Sequence, residues 1–112
     1  MAITMNNIVV LGYVGKDPNL FQSGACTFSV ATNEPRKDSD TPVVSWFSCV
    51  AWGDTAKMIA ERVHKGDLLH VQGRLKQAEY TNKEGHLVTV LELHVARWSR
   101  IEEAKRDGGP QQ

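Results

Sequence analysis

The chain has 112 residues, 41% of them hydrophobic and 23% charged, with thirteen basic and thirteen acidic side chains. That is the size and balance of one globular domain, and no apolar run approaches the roughly 20 residues of a membrane helix. Zero net charge excludes a polyanion binder that works through bulk charge alone, so the placement of charge has to decide.

The first residues, Met1-Ala2-Ile3-Thr4, lack the basic and apolar regions of a secretion signal, which predicts the cytoplasm or an organelle interior. Cys26 and Cys49 have no metal-like spacing and lie in apolar strand patterns. Both are expected to be small core residues without a disulfide.

Residues 6–15 read as a first strand. Ile8, Val10, Gly12 and Val14 share one face, and Val9, Leu11 and Tyr13 the other. Apolar residues on both faces predict that both are covered or that the strand curls in a small barrel. Gly12 and Gly15 suit a sharply bent strand, and Asp17-Pro18 stops it. Gln22-Ser23-Gly24 is a turn. Residues 25–32 form the second strand, with Cys26, Phe28 and Val30 inward. Residues 33–42 form a polar loop with two prolines that joins two strands and reads as a mobile hairpin arm.

The third strand, residues 43–52, carries two of the three tryptophans. At period two, Trp46 and Trp52 leave one face with Ser48 and Val50 between them, while Phe47, Cys49 and Ala51 point the other way. A helix follows over 54–65. Asp54 is placed to cap its start, and Ala56, Ile59, Ala60 and Val63 form one buried stripe. Gly66 is a natural stop.

Residues 67–77 form the fourth strand, with Leu69, Val71, Gly73 and Leu75 on one face. His70, Gln72, Arg74 and Lys76 form the other, with no carboxylate among them. Residues 80–85 make a hairpin tip. Residues 87–98 form the fifth strand, with Leu87, Leu91, Leu93 and Val95 on one side. Residues 99–112 are charged and end in Gly-Gly-Pro-Gln-Gln, a composition that cannot build a core and predicts a disordered tail or the start of a cut linker after a domain at 1–98.

Three strands, a helix and two strands is the order of the OB-fold, a five-stranded barrel with one short helix in an all-β class. The residues carry a closer likeness. Asn6-x-Ile8-x-Val10-x-Gly12-x-Val14-Gly15-x-Asp17-Pro18 resembles the opening of bacterial-type single-stranded DNA-binding proteins, and Phe28-x-Val30-Ala31-Thr32 their second strand. Trp46-Phe47-x-Cys49-Val50-Ala51-Trp52-Gly53-x-x-Ala56 is similar to their third strand and helix start. Lys65-Gly66-Asp67-x-Leu69-x-Val71-x-Gly73-Arg74-Leu75 is similar to the helix exit and fourth strand, and Tyr80-x-x-x-x-Gly85 to the next hairpin. The likeness runs colinearly over residues 6–98.

That resemblance implies an OB domain that binds single-stranded DNA largely without regard to sequence, usually as a homotetramer, in replication, recombination and repair. It places Trp46, Trp52 and Tyr80 at positions where bases stack. A family aromatic after the second strand is missing, and Arg36 stands nearest to it, where a guanidinium can stack on a base or hold a phosphate. Family members usually end in an acidic tip that recruits replication and repair proteins, and this chain stops at Pro110-Gln111-Gln112 without one.

Beside the rings, His70, Arg74 and Lys76 form an acid-free row suited to phosphates, though such rows are commonly just solvated faces. Arg36 and Lys37 sit in the polar loop among Glu34, Asp38 and Asp40, where they either clamp DNA or keep the loop soluble. Trp98 matches no stacking motif and is expected at a barrel end or a subunit contact. The four histidines show no metal-ligand spacing, and no nucleophile has a recognisable base, so neither a metal, a cofactor nor catalysis is expected. An OB-fold protein-interaction or primosome-type assembly subunit, whose aromatic face docks a protein, is the rival reading. An oligosaccharide binder would instead bring carboxylates and amides to the rings.

Overall fold

The computed structural model describes residues 3–104. The elements are β1 (Ile8–Val14), β2 (Asn19–Leu20), β3 (Cys26–Arg36), β4 (Ser39–Ala51), α1 (Gly53–Arg62), β5 (Leu68–Thr81) and β6 (Leu87–Glu102). The sheet order is β1-β5-β6-β4-β3-β2, and β1 also pairs with β3. That last pairing closes β1, β5, β6, β4 and β3 into a five-stranded barrel, an OB-fold, with β2 as a two-residue strip on its edge. All strand pairs are antiparallel except β4 with β6.

Closure demands close backbone approach at two glycines. A Cβ on Gly12 would collide with the Ala31 carbonyl, and one on Gly73 with the His94 carbonyl. No other residue type fits where strands turn this tightly. The barrel interior collects the inward faces read from the sequence: Val10 and Val14, Cys26, Phe28 and Val30, Cys49 and Ala51, Leu69 and Val71. Leu93 joins from β6, and the stripe Ala56, Ile59 and Val63 caps one end. Cys26 and Cys49 are both buried and free. Burial pushes the Cys26 thiol up and the Cys49 thiol up to about 12, because a thiolate there has no solvent to hold its charge.

The helix begins one residue before the expected start and ends sooner than expected. Trp52 occupies the N-cap without a side-chain cap, and Asp54 lies in the first turn. At the other end Val63 N–H still donates to the Ile59 carbonyl. The next two amides are diverted to carboxylates: His64 N–H donates to Asp67 Oδ2 at 2.9 Å and Lys65 N–H to Asp17 Oδ1 at 2.8 Å. Gly66, at φ 89°, serves the turn into β5 rather than the helix stop.

Asp67 is fully buried; its Oδ1 accepts from Ala104 N–H at 2.9 Å, and Arg100 lies 3.7 Å from its Oδ2. Arg100 also donates to the Arg62 carbonyl. These contacts explain a correction at the C-terminal side. The charged residues 99–102, expected to be disordered, belong to β6, with Leu69 opposite Arg100 and Leu68 opposite Glu102. The end of the chain, including Gly108-Gly109-Pro110-Gln111-Gln112, lies outside the described residues.

Residues 33–42 form the expected hairpin arm, but as strand rather than polar loop: β3 and β4 run on to a turn at Lys37-Asp38. Pro35 and Pro42 do not interrupt them. Both fall in the irregular step between the pairs Glu34–Val43 and Arg36–Ser39, where the missing N–H breaks no regular rung. The other arm, β5 with β6, extends past the barrel to a turn in which Asn82 Oδ1 accepts from the amides of Glu84 and His86. Leu87 and Leu91 ride on this arm and are exposed, so of the expected β6 row Leu93 is buried in the core and Val95 packs partly buried against it.

Candidate nucleic-acid interface

Trp46 and Trp52 are both more than half exposed, at 60% and 54%. They occupy different settings. Trp46 is in strand, opposite Ala31 of β3, which is itself opposite Tyr13 of β1. Its six-membered ring lies over the backbone of Gly15, so closely that a Cβ on Gly15 would collide with it. Gly15, Ala31 and Ser29 thus make a low floor under a ring whose other side faces solvent.

Trp52 lies beyond the end of β4, in extended conformation at the N-cap of α1. The parallel pairing of Val50 with His94 carries Trp52 alongside the next residues of β6. There it walls a cleft of about 430 Å³ with Asn7, Gln72, Arg74, His94 and Arg97 among the lining residues. Of the cations read from the sequence, only Arg74 lines this cleft. A second hollow on the outer surface is lined by Thr27, Ser29, Ser48 and Val50, with Lys16, Asp17 and Glu92 alongside.

Tyr80 is 52% exposed on the β5–β6 arm, opposite Val88. By strand alternation it shares a face with Arg74 and Lys76. Lys76, however, is directly opposite Glu92 of β6, and Arg74 is opposite His94. The Glu92 carboxylate sits 3.3 Å from His94 Nε2. The row that is acid-free along its own strand therefore receives a carboxylate from the neighbouring one. His70 lies between Leu11 of β1 and Ser99 of β6 and does not line the cleft. Arg36 and Lys37 sit with Asp38 and Ser39 at the tip of the β3–β4 arm, further out along the hairpin than Trp46. Trp98 is half-buried against the core, near Met58 and Arg62 of the helix.

Sequence reading missed Asn7, His94 and Arg97. Asn7 precedes β1 and is carried into place by Asn6, whose side chain accepts from Leu75 N–H at 2.9 Å and donates to the Leu75 carbonyl at 2.7 Å. Arg97 is brought opposite Gln72 by a register shift at Gln72/Gly73, which leaves Ala96 unpaired. Alternation along one strand holds no signal for either.

An OB barrel with exposed aromatic rings set among cations and amides defines a class of oligomer-binding modules. The sequence model of the single-strand binding protein family matches residues 5–101. The chain belongs to that family. It is 36% identical over 93 residues to a single-stranded DNA-binding protein of Malacoplasma penetrans, covering 80% of this chain and 48% of that one. It is 34% identical over 110 residues to a single-stranded DNA-binding protein of Thermosynechococcus vestitus, covering 95% of this chain and 89% of that one. Among solved structures, a Plasmodium falciparum SSB in complex with ssDNA superposes with a TM-score of 0.74 at 22% identity, covering 88% of this chain and 95% of that one. That likeness shows the fold.

Proposed function

We propose that the chain binds single-stranded DNA without catalysis and largely without regard to sequence, protecting and organising it in replication, recombination and repair. The observation that carries the reading is the exposure of Trp46, Trp52 and Tyr80 on a barrel of this family. In water, three such rings left more than half open lose the burial that usually justifies them. Bases stacked on them restore it, at about 1–3 kcal/mol per base and for any base, since every base has a π-face.

The phosphates between stacked bases fall to Arg74, Lys76 and His70, with Arg36 and Lys37 reaching from the β3–β4 arm. Glu92 beside Lys76 and His94 trims the positive field, so the affinity falls with salt by a modest slope, about 0.7 per phosphate contact on a log–log plot for a single strand. Neither a cofactor nor a metal enters this reading.

The outward face of β1, with Val9, Leu11 and Tyr13 about half exposed, supports a homo-oligomer, and the family resemblance supports a tetramer. An apolar strand face this open is an association surface. Among the described residues no helix is long and apolar enough to cross a membrane. Work on single-stranded DNA places the chain in the cytoplasm, at a bacterial nucleoid, or in an organelle interior, alongside replication and repair proteins.

Fluorescence anisotropy of labelled oligo-dT at low salt tests the reading. Saturable binding that weakens as salt rises is expected. Absence of binding would overturn it in favour of a protein-docking OB module. Light scattering of the free protein checks the tetramer.

A further inference from the structure

We propose that the cleft walled by Trp52 is a phosphate clamp, in which Arg97 joins Arg74 in holding the backbone of the strand. The inference rests on the single-stranded DNA binding proposed above and adds a binding residue that no reading along one strand reaches. Arg74 and Arg97 both line the cleft, with Asn7, Gln72 and His94. No Asp or Glu lines it. Glu92 lies 3.3 Å from His94 Nε2 and stays outside the lining. Among the described residues, neither arginine has a carboxylate within ion-pair distance.

Exposed arginines are commonly just solvated, and either one alone would carry no argument. Here two come from different strands onto one hollow. Arg74 is opposite His94 and Arg97 is opposite Gln72, which sets the two cations diagonally across β5 and β6. Like charges that share a cleft repel each other, and an anion between them turns that repulsion into attraction to both. The placement is built rather than incidental. A register shift at Gln72/Gly73 leaves Ala96 unpaired and brings Arg97 round, and bulges commonly serve to re-aim a side chain. The two bonds between Asn6 and Leu75 anchor the segment before β1. Gln72 Nε2 then donates to Asn7 Oδ1 at 3.2 Å, which leaves Asn7 Nδ2 as a further donor.

The chemistry of the set fits a nucleotide unit rather than any one base. Trp52 offers a face on which every base can stack. A guanidinium fork matches two phosphate oxygens at once. An amide N–H adds a bond of the kind that fixes the position of a strand without reading its sequence. Phosphate is common to all four nucleotides, so the clamp keeps binding independent of sequence. A volume of about 430 Å³ is in the range of clefts that hold a small ligand. The lining runs from Trp52 over β6 and β5 to Asn7. The clamp therefore directs the strand across the sheet, from the ring toward β1.

The test measures oligo-dT binding at several salt concentrations for the native protein, Arg97→Ala and Arg97→Lys. Each phosphate contact contributes about 0.7 to the log–log salt slope, so Arg97→Ala should lower the slope by about that amount. Arg97→Lys keeps a point charge that still holds a phosphate, and its slope should match the native one. An oligo-dT in which one linkage at a time is an uncharged methylphosphonate then locates the contact. At one linkage the change should weaken native binding and leave Arg97→Ala unaffected. The fold-loss in Arg97→Ala should be the same on oligo-dT, oligo-dA and oligo-dC. An unchanged slope in Arg97→Ala, with oligo-dT still bound, overturns the clamp and leaves the proposed function standing. A loss confined to one base overturns the clamp as well, since a phosphate contact does not tell bases apart. Failure of the native protein to bind any oligomer overturns the proposed function, and the clamp with it.

Discussion

Trp46 and Trp52 stand six residues apart on one stretch of chain and sit in different surroundings. Trp46 is a strand residue laid over a glycine, with small side chains around it. Trp52 is off the strand, at the start of the helix, and looks across a cleft at amides and guanidinium groups. Equal exposure of two rings therefore does not mean equal surroundings, and the difference lies in what the neighbouring strands bring.

The largest expected effect comes from removing both rings. Trp46→Ala and Trp52→Ala should each weaken oligo-dT binding by about 1–3 kcal/mol, and the double variant by about the sum, since distant sites add. Anisotropy titrations check this, and a double variant no weaker than one single would show that the two rings do not contact the strand independently. Next is Gly15→Val, whose side chain would drive the Trp46 ring off its floor. It should lose most of the Trp46 share of affinity while leaving the Trp52 share, so combining it with Trp46→Ala should cost little more than Trp46→Ala alone.

Asn6→Ala removes two hydrogen bonds to the Leu75 backbone, each bond contributing about 0.5–1.5 kcal/mol. Amide exchange should quicken at Leu75 and leave the backbone around Trp46 unchanged, which separates the two settings by stability rather than by affinity. The smallest effect is at Glu92, which faces Lys76 across the strands. Glu92→Gln should tighten binding by about 0.2–1 kcal/mol, the range of exposed charge pairs, most visibly at low salt.

The frame shared by both rings has its own pH signature. Burial raises the Cys49 thiol to about 12, against about 8.5 for a free thiol. Between those values the unfolded chain has lost the proton and the folded chain keeps it. This thiol's contribution to stability is thus constant below about pH 8.5 and is lost as pH rises toward 12. Denaturant melts across that window measure the fall, and thiol alkylation at neutral pH should follow global unfolding. Rapid labelling of native protein would contradict the burial of Cys49.

Much of the barrel was legible in the chain. Period-two alternation found the inward faces of β3 and β5, and the helical stripe found Ala56, Ile59 and Val63, because burial selects those residues locally. What escaped depended on partners distant in sequence. The β3–β4 arm was legible but its strand character was not, since prolines are local signals and the bulge that tolerates them is not. Helix α1 ends early because Asp17 and Asp67 capture its next amides, and β6 runs past Trp98 because Asp67 holds Arg100 and Ala104. At the interface, alternation put the two tryptophans on one face, which alone reads as core, and the family resemblance with the neighbouring cations turned that face outward. Alternation could not supply Glu92 opposite Lys76 or Arg97 opposite Gln72, since both follow from the register of β5 with β6.

The most direct test of the central claim, that the outward rings take up bases, is tryptophan emission during titration with oligo-dT. Trp98, half-buried against the core, is the internal control. The account predicts strong quenching in the native protein and almost none in Trp46→Phe/Trp52→Phe, which keeps only Trp98. Unchanged emission in the native protein, with binding confirmed by anisotropy, would contradict it.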